Sequence, residues 1–78
     1  MLDEQQELIE NAVREMFDDG HREIRARLVW VVARQMDRPV ATPNAGTIGN
    51  HLKHNRDLGF AEIVEIRDGP SCNIYVLD

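Results

Sequence analysis

Leu2, Ile9, Val13, Met16 and Phe17 recur on one stripe of a 3.6-residue period, with Glu4, Glu7, Glu10 and Arg14 largely outside it. This pattern predicts a helix over 3–18. Its first turns are rich in acids, which suits the positive end of a helix dipole. Gly20 then supplies the permissive backbone that commonly ends a helix. A second helix is predicted over 22–37. Ile24, Leu28, Val31 and Val32 line one face of it, and Ala26, Val29, Trp30 and Ala33 line nearly the opposite one. A helix apolar on both sides is sandwiched between other elements or forms an interface. The β-branched residues permit a strand here, but the length of the run and its flanking arginines favour helix.

Asp37-Arg38-Pro39 stops the second helix, because the residue before a proline is pushed out of helical geometry. Thr42-Pro43 reads as the start of a third, with threonine as N-cap and proline at the first helical position. That helix is predicted over 43–58 and closed by Gly59; Asn44 or Thr47 are alternative caps, given the looseness of Gly46 and Gly49. The period then changes. Residues 60–67 and 72–77 are β-rich and flank the turn cluster Asp68-Gly69-Pro70-Ser71, which predicts a hairpin near 60–77. Ile9, Val13, Phe17, Leu28, Val32, Ile48 and Leu52 are the expected common core.

Seventy-eight residues, 42% hydrophobic and 29% charged, fit one α+β domain spanning 1–78. No apolar run approaches the roughly 20 residues needed to span a bilayer. The acidic N-terminus is unlike a secretory signal, so a cytoplasmic location is expected. Cys72 stands alone, which rules out an internal disulfide and a zinc framework and suits a small packed hydrophobe in a strand. The net charge of −5 is unevenly spread. Residues 1–20 carry −6 and 58–78 carry −3, whereas 21–38 carry +3 and 39–57 carry +1. The middle of the chain is basic and the ends are acidic.

Three helices followed by a β-hairpin is the element order of a winged helix. Thr47-Ile48-Gly49-Asn50-His51-Leu52-Lys53 resembles the recognition helix of winged helix-turn-helix DNA-binding domains of bacterial and phage regulators. There a Thr-Val-Ser-x-His-Leu-Lys pattern precedes a Gly-Leu-Val step into the wing. Ile48 and Leu52 match that pattern's core positions, and Gly59-Phe60 its turn from helix to strand. Asn55 stands where the pattern has a leucine facing the core, and the hairpin's single cation is Arg67, among Glu62, Glu65, Asp68 and Asp78. The resemblance covers roughly 42–78 at motif level. It implies a DNA-binding transcriptional regulator whose third helix docks in the major groove of double-stranded DNA.

With Ile48 and Leu52 inward, helical spacing turns Gly46, Asn50, Lys53, His54 and Asp57 outward, with Thr47 and Arg56 on the flanks. Asparagine can pair with adenine, lysine with guanine or phosphate, and threonine or histidine with backbone or base. The glycines either admit a phosphate or serve close helix packing. Thr47, Asn50, Lys53, His54 and Arg56 are therefore the candidate DNA contacts. Arg34 and Arg38, with Arg27, fall on one flank of the second helix. They either clamp phosphates or pair with the acids of the first helix for little energy. Trp30 is expected mainly as core beneath the hairpin; the other outcome is that, with Val29 and Ala33, it anchors a homodimer. His51 and His54 have metal-compatible spacing but no matching further ligands. No phosphate loop or catalytic signature is present, so neither an enzymatic activity nor a cofactor is expected. The rival reading is an acidic winged-helix protein-interaction module, favoured by the net charge and the acidic hairpin.

Overall fold

A computed structural model describes residues 1–36, 40–69 and 72–78. The described elements are α1 (Asp3–Asp18), β1 (Glu23–Ile24), α2 (Ala26–Gln35), α3 (Ala45–His54), β2 (Ile63–Asp68) and β3 (Asn73–Leu77). The fold is α+β: three helices and a three-stranded antiparallel sheet in the order β1-β3-β2. No helix among the described residues is long and apolar enough to cross a membrane.

α1 has the predicted bounds. Asp3 and Glu4 occupy its first turn, and the Gln5 side chain accepts from the Leu2 N–H at 3.1 Å, satisfying one donor at the open end. The same Gln5 donates to the Ala41 carbonyl at 3.2 Å, tying α1 to the α2–α3 connection. At the other end, Gly20 adopts φ 97°. The His21 N–H returns to the Met16 carbonyl and the Gly20 N–H to that of Phe17. These two bonds make a Schellman cap with glycine in the left-handed position.

The second helix departs from expectation. Residues 22–25 are extended, because β1 pairs with β3 (Glu23 opposite Val76, Ile24 opposite Tyr75), and the Leu77 N–H donates to the Arg22 carbonyl at 2.7 Å. The edge of β3 thus satisfies a backbone that local propensity alone would have coiled. With Ile24 withdrawn, the Ile24-Leu28-Val31 stripe loses its anchor. Val29 and Ala33 are fully buried instead, Ala26, Trp30 and Val32 pack partly against the core, and Leu28 and Val31 face solvent. The α2 core face is therefore the opposite of the expected one. The helix ends at Gln35, and residues 37–39, including the expected stop signal, lie outside the described residues.

α3 is also shorter than 43–58. Its N-cap is Asn44, whose side-chain oxygen accepts from the Thr47 N–H at 2.8 Å, so Thr42 does not cap it. Its last turn closes at Asn55, whose amide donates to the His51 carbonyl at 2.9 Å. Asn55 is exposed as a cap and does not face the core. Residues 55–62 form a tight return, with Asp57 bridged to Glu62 and the Leu58 N–H on the Ala61 carbonyl. Gly59 sits in that turn and not at a helix end. The hairpin strands consequently begin at Ile63, with a bulge between Ile63 and Glu65.

The core gathers Ile9 and Val13 of α1, Ile24 of β1, Val29 and Ala33 of α2, Ile48 and Leu52 of α3, and Ile63, Tyr75 and Leu77 of the sheet. Each of the buried Val, Ile and Leu side chains contributes about 1.5–3 kcal/mol relative to exposure. Of the expected core, Ile9, Val13, Ile48 and Leu52 are buried, Phe17 and Val32 are half-buried, and Leu28 is outside it.

Candidate nucleic-acid interface

Burial of Ile48, His51 and Leu52 fixes which side of α3 points outward. His51 lies on the α1 side. Its Nε2 is 3.2 Å from the Glu10 carboxylate, and its Nδ1 is 3.3 Å from the Asn55 side-chain amide. An amide N–H₂ can only donate, so Nδ1 accepts and Nε2 carries the proton directed at Glu10. This polar contact joins α3 to α1 inside an otherwise apolar seam.

On the opposite side, Gly49 meets the sheet. The Tyr75 hydroxyl donates to the Gly49 carbonyl at 3.2 Å. A Cβ at Gly49 would lie 3.1 Å from that hydroxyl and 3.6 Å from the Ala26 Cβ. Close packing of α3 on α2 and β3 therefore explains Gly49 by itself.

Beyond this contact the three elements diverge and leave an open groove of about 400 Å³. Arg27 of α2, Asn50 and Lys53 of α3, and Cys72 and Asn73 at the start of β3 line its walls, and Ala26, Ala45, Gly46 and Gly49 keep its floor shallow. Among the described residues the lining has two cations and no carboxylate. A second groove, between α1 and the turn after α3, has the reverse character: Asp3, Glu7 and Glu10 line it with Arg14. The molecule is 32 × 24 × 20 Å, and charges are screened over about 8 Å at physiological ionic strength. Local lining thus outweighs the net charge at each groove.

No family model matches the chain, and no curated protein or solved structure is significantly similar to it.

The expected contact residues divide. Asn50 and Lys53 share the groove. His54 is exposed beside it and donates through Nδ1 to the Asn50 carbonyl at 2.9 Å. Thr47 is half-buried, with its N–H held by the cap. Arg56 lies past the end of α3, where its carbonyl accepts from the Ile63 N–H. Arg34 is not in this groove. Its guanidinium stacks over Trp30 at 4.5 Å, and it borders a separate depression with Val31 and Gln35. Arg38 lies outside the described residues. Arg27 faces the groove, and among the described residues it makes no ion pair with an α1 carboxylate. Trp30 is half-buried against the core, while Val29 and Ala33 are fully buried and cannot form a dimer surface with it.

Asn73 was not singled out from the sequence, because strand alternation separates two faces without telling which helix a face meets. Cys72, expected as a packed hydrophobe within a strand, is half-buried just before β3 and borders the groove. The hairpin's cation is committed elsewhere. Arg67 reaches Glu65 and Glu23, each at 3.1 Å, and these carboxylates, Glu65 foremost, raise its pKa above the usual arginine value. Among the described residues no group of three or more His, Cys, Asp or Glu side chains is placed to hold a metal ion.

Proposed function

We propose that this chain is a winged helix-turn-helix domain that binds double-stranded DNA, acting as a small transcriptional regulator with the outer face of α3 in the major groove. The observation that carries this reading is the groove bounded by Arg27, Asn50 and Lys53, which is cationic in a chain of net charge −5. Further support comes from the element order, in which a short strand separates the first of three helices from the other two and an antiparallel strand pair follows. The ten residues of α3 span about 15 Å, enough to cross a major groove. Asn50 would read an adenine edge, and Lys53 and Arg27 would hold phosphates on either side of it.

The test is selection from a random duplex library at low salt, followed by Asn50→Ala. The variant should lose about 1–3 kcal/mol on the selected site and relax base choice at one position. If no duplex is enriched, the DNA reading fails.

A second reading, an acidic protein-interaction module, is favoured by the neutralised Arg67 and by the acidic groove along α1. It expects a basic protein to bind the α1 side and predicts that the Arg27 and Lys53 variants leave that binding unchanged.

A further inference from the structure

Among the described residues, α2 and the start of α1 each carry a pair of exposed apolar side chains, in opposite charge surroundings. On α2, Leu28 is 48% and Val31 38% exposed, one helical turn apart and therefore on one face. Arg27 and Arg34, four residues before and three after Val31, are exposed on the same side. At the start of α1, Met1 is 50% and Leu2 60% exposed, followed by the exposed acids Asp3, Glu4 and Glu7.

We infer that the Leu28–Val31 face of α2 docks the first turn of α1 from a second copy of this chain. Apolar surface meets apolar surface, and the exposed Arg27 at its rim meets Asp3, Glu4 and Glu7. The α2 face does not pair with its own equivalent, since a two-fold contact there would set Arg27 against its counterpart. Like charges juxtaposed at an interface oppose association. The contact is therefore head-to-tail, and such contacts propagate into rings or open chains unless capped. Two apolar side chains per patch make a surface far smaller than the roughly 800 Å² per partner of a stable complex, so the association is weak and salt-sensitive. It shares Arg27 with the groove proposed for DNA, but the variants below leave Arg27, Asn50 and Lys53 in place, so its failure and that of the DNA reading are distinguishable.

Sedimentation velocity of the full chain without DNA, over a concentration series at low and high salt, tests this. The sedimentation coefficient should rise with concentration at low salt and return to the monomer value at high salt. Val31→Asp should abolish the rise, and so should Glu4→Arg combined with Glu7→Arg. An equimolar mixture of these two variants keeps one intact α2 face and one intact α1 turn. It should recover a dimer that grows no further. Leu28→Ser repeats the α2 arm should Val31→Asp perturb folding, as judged by far-UV circular dichroism. A wild type that is monomeric throughout, or association that survives Val31→Asp and Leu28→Ser, overturns the proposal. Failure of the mixture to complement does so too, as does binding of an unrelated acidic amphipathic peptide by a chain that never self-associates.

Discussion

If the proposed DNA binding holds, replacing Arg27 and Lys53 together by alanine distinguishes the groove from the hairpin as the phosphate-contacting surface. Both cations line one groove with no carboxylate among its described residues. If each neutralises one phosphate, each contributes about 0.9 to the slope of log K against log salt. The double variant should therefore flatten that slope by about 1.8. Between 50 and 200 mM salt, the wild type should then lose about tenfold more affinity than the double variant. Both side chains are exposed, so unfolding free energy should change by less than about 0.5 kcal/mol per site. Arg67→Ala is the control. Its guanidinium already serves Glu65 and Glu23 at 3.1 Å, so the slope should move by far less than one unit. Fluorescence anisotropy with a labelled duplex at several ionic strengths reads all three proteins. An unchanged slope in the double variant with a flattened one in Arg67→Ala would refute the assignment and move the phosphates to the hairpin.

Gly49→Ala should fail to deliver the gain of about 1 kcal/mol expected of Gly→Ala within a helix, because the new Cβ meets the Tyr75 hydroxyl at 3.1 Å. In a Tyr75→Phe background the gain should return, and urea unfolding of the four proteins of that cycle measures the coupling. His51→Ala should cost about 2–3 kcal/mol in chemical denaturation, since it opens a cavity at a buried ring and strips partners from Glu10 and Asn55. Val29→Ala should cost about 2 kcal/mol and Leu28→Ala well under 1, as judged by thermal melts. The reverse ranking would restore the face of α2 expected from its sequence.

α1 was legible because one stripe is apolar, the other charged, and Gly20 marks the end. α2 was not, because both of its stripes are apolar and the choice between them rests on Ile24. That residue's helical or extended state is decided by β3, some fifty positions away. The same long-range pairing hid the fate of Arg67: Glu23 reaches it only because β1 lies alongside β3. Asn50 and Lys53 were readable from Ile48 and Leu52, since helical geometry dictates the face opposite a buried pair. Their partner across the groove was not singled out. In the sequence Arg27, Arg34 and Arg38 look equivalent, at steps of seven and four, and only the docking of α3 against Ala26 sets Arg27 apart from Arg34. Asn55 is exposed because α3 stops at His54, and its side chain closes the last turn on the His51 carbonyl.

The sheet's outer strands have a bearing on how the protein fails. β1 is two residues long, and β2 carries a bulge beside Val64 and Glu65. Short, kinked and charged margins give a neighbouring chain little to extend by backbone pairing. The protected strand between them, Asn73-Ile74-Tyr75-Val76-Leu77, is uncharged, free of proline and rich in β-formers, the composition that drives cross-β stacking once exposed. Variants that loosen β1 or the Tyr75 contact should therefore be lost from solution by aggregation before any change in ligand binding becomes measurable.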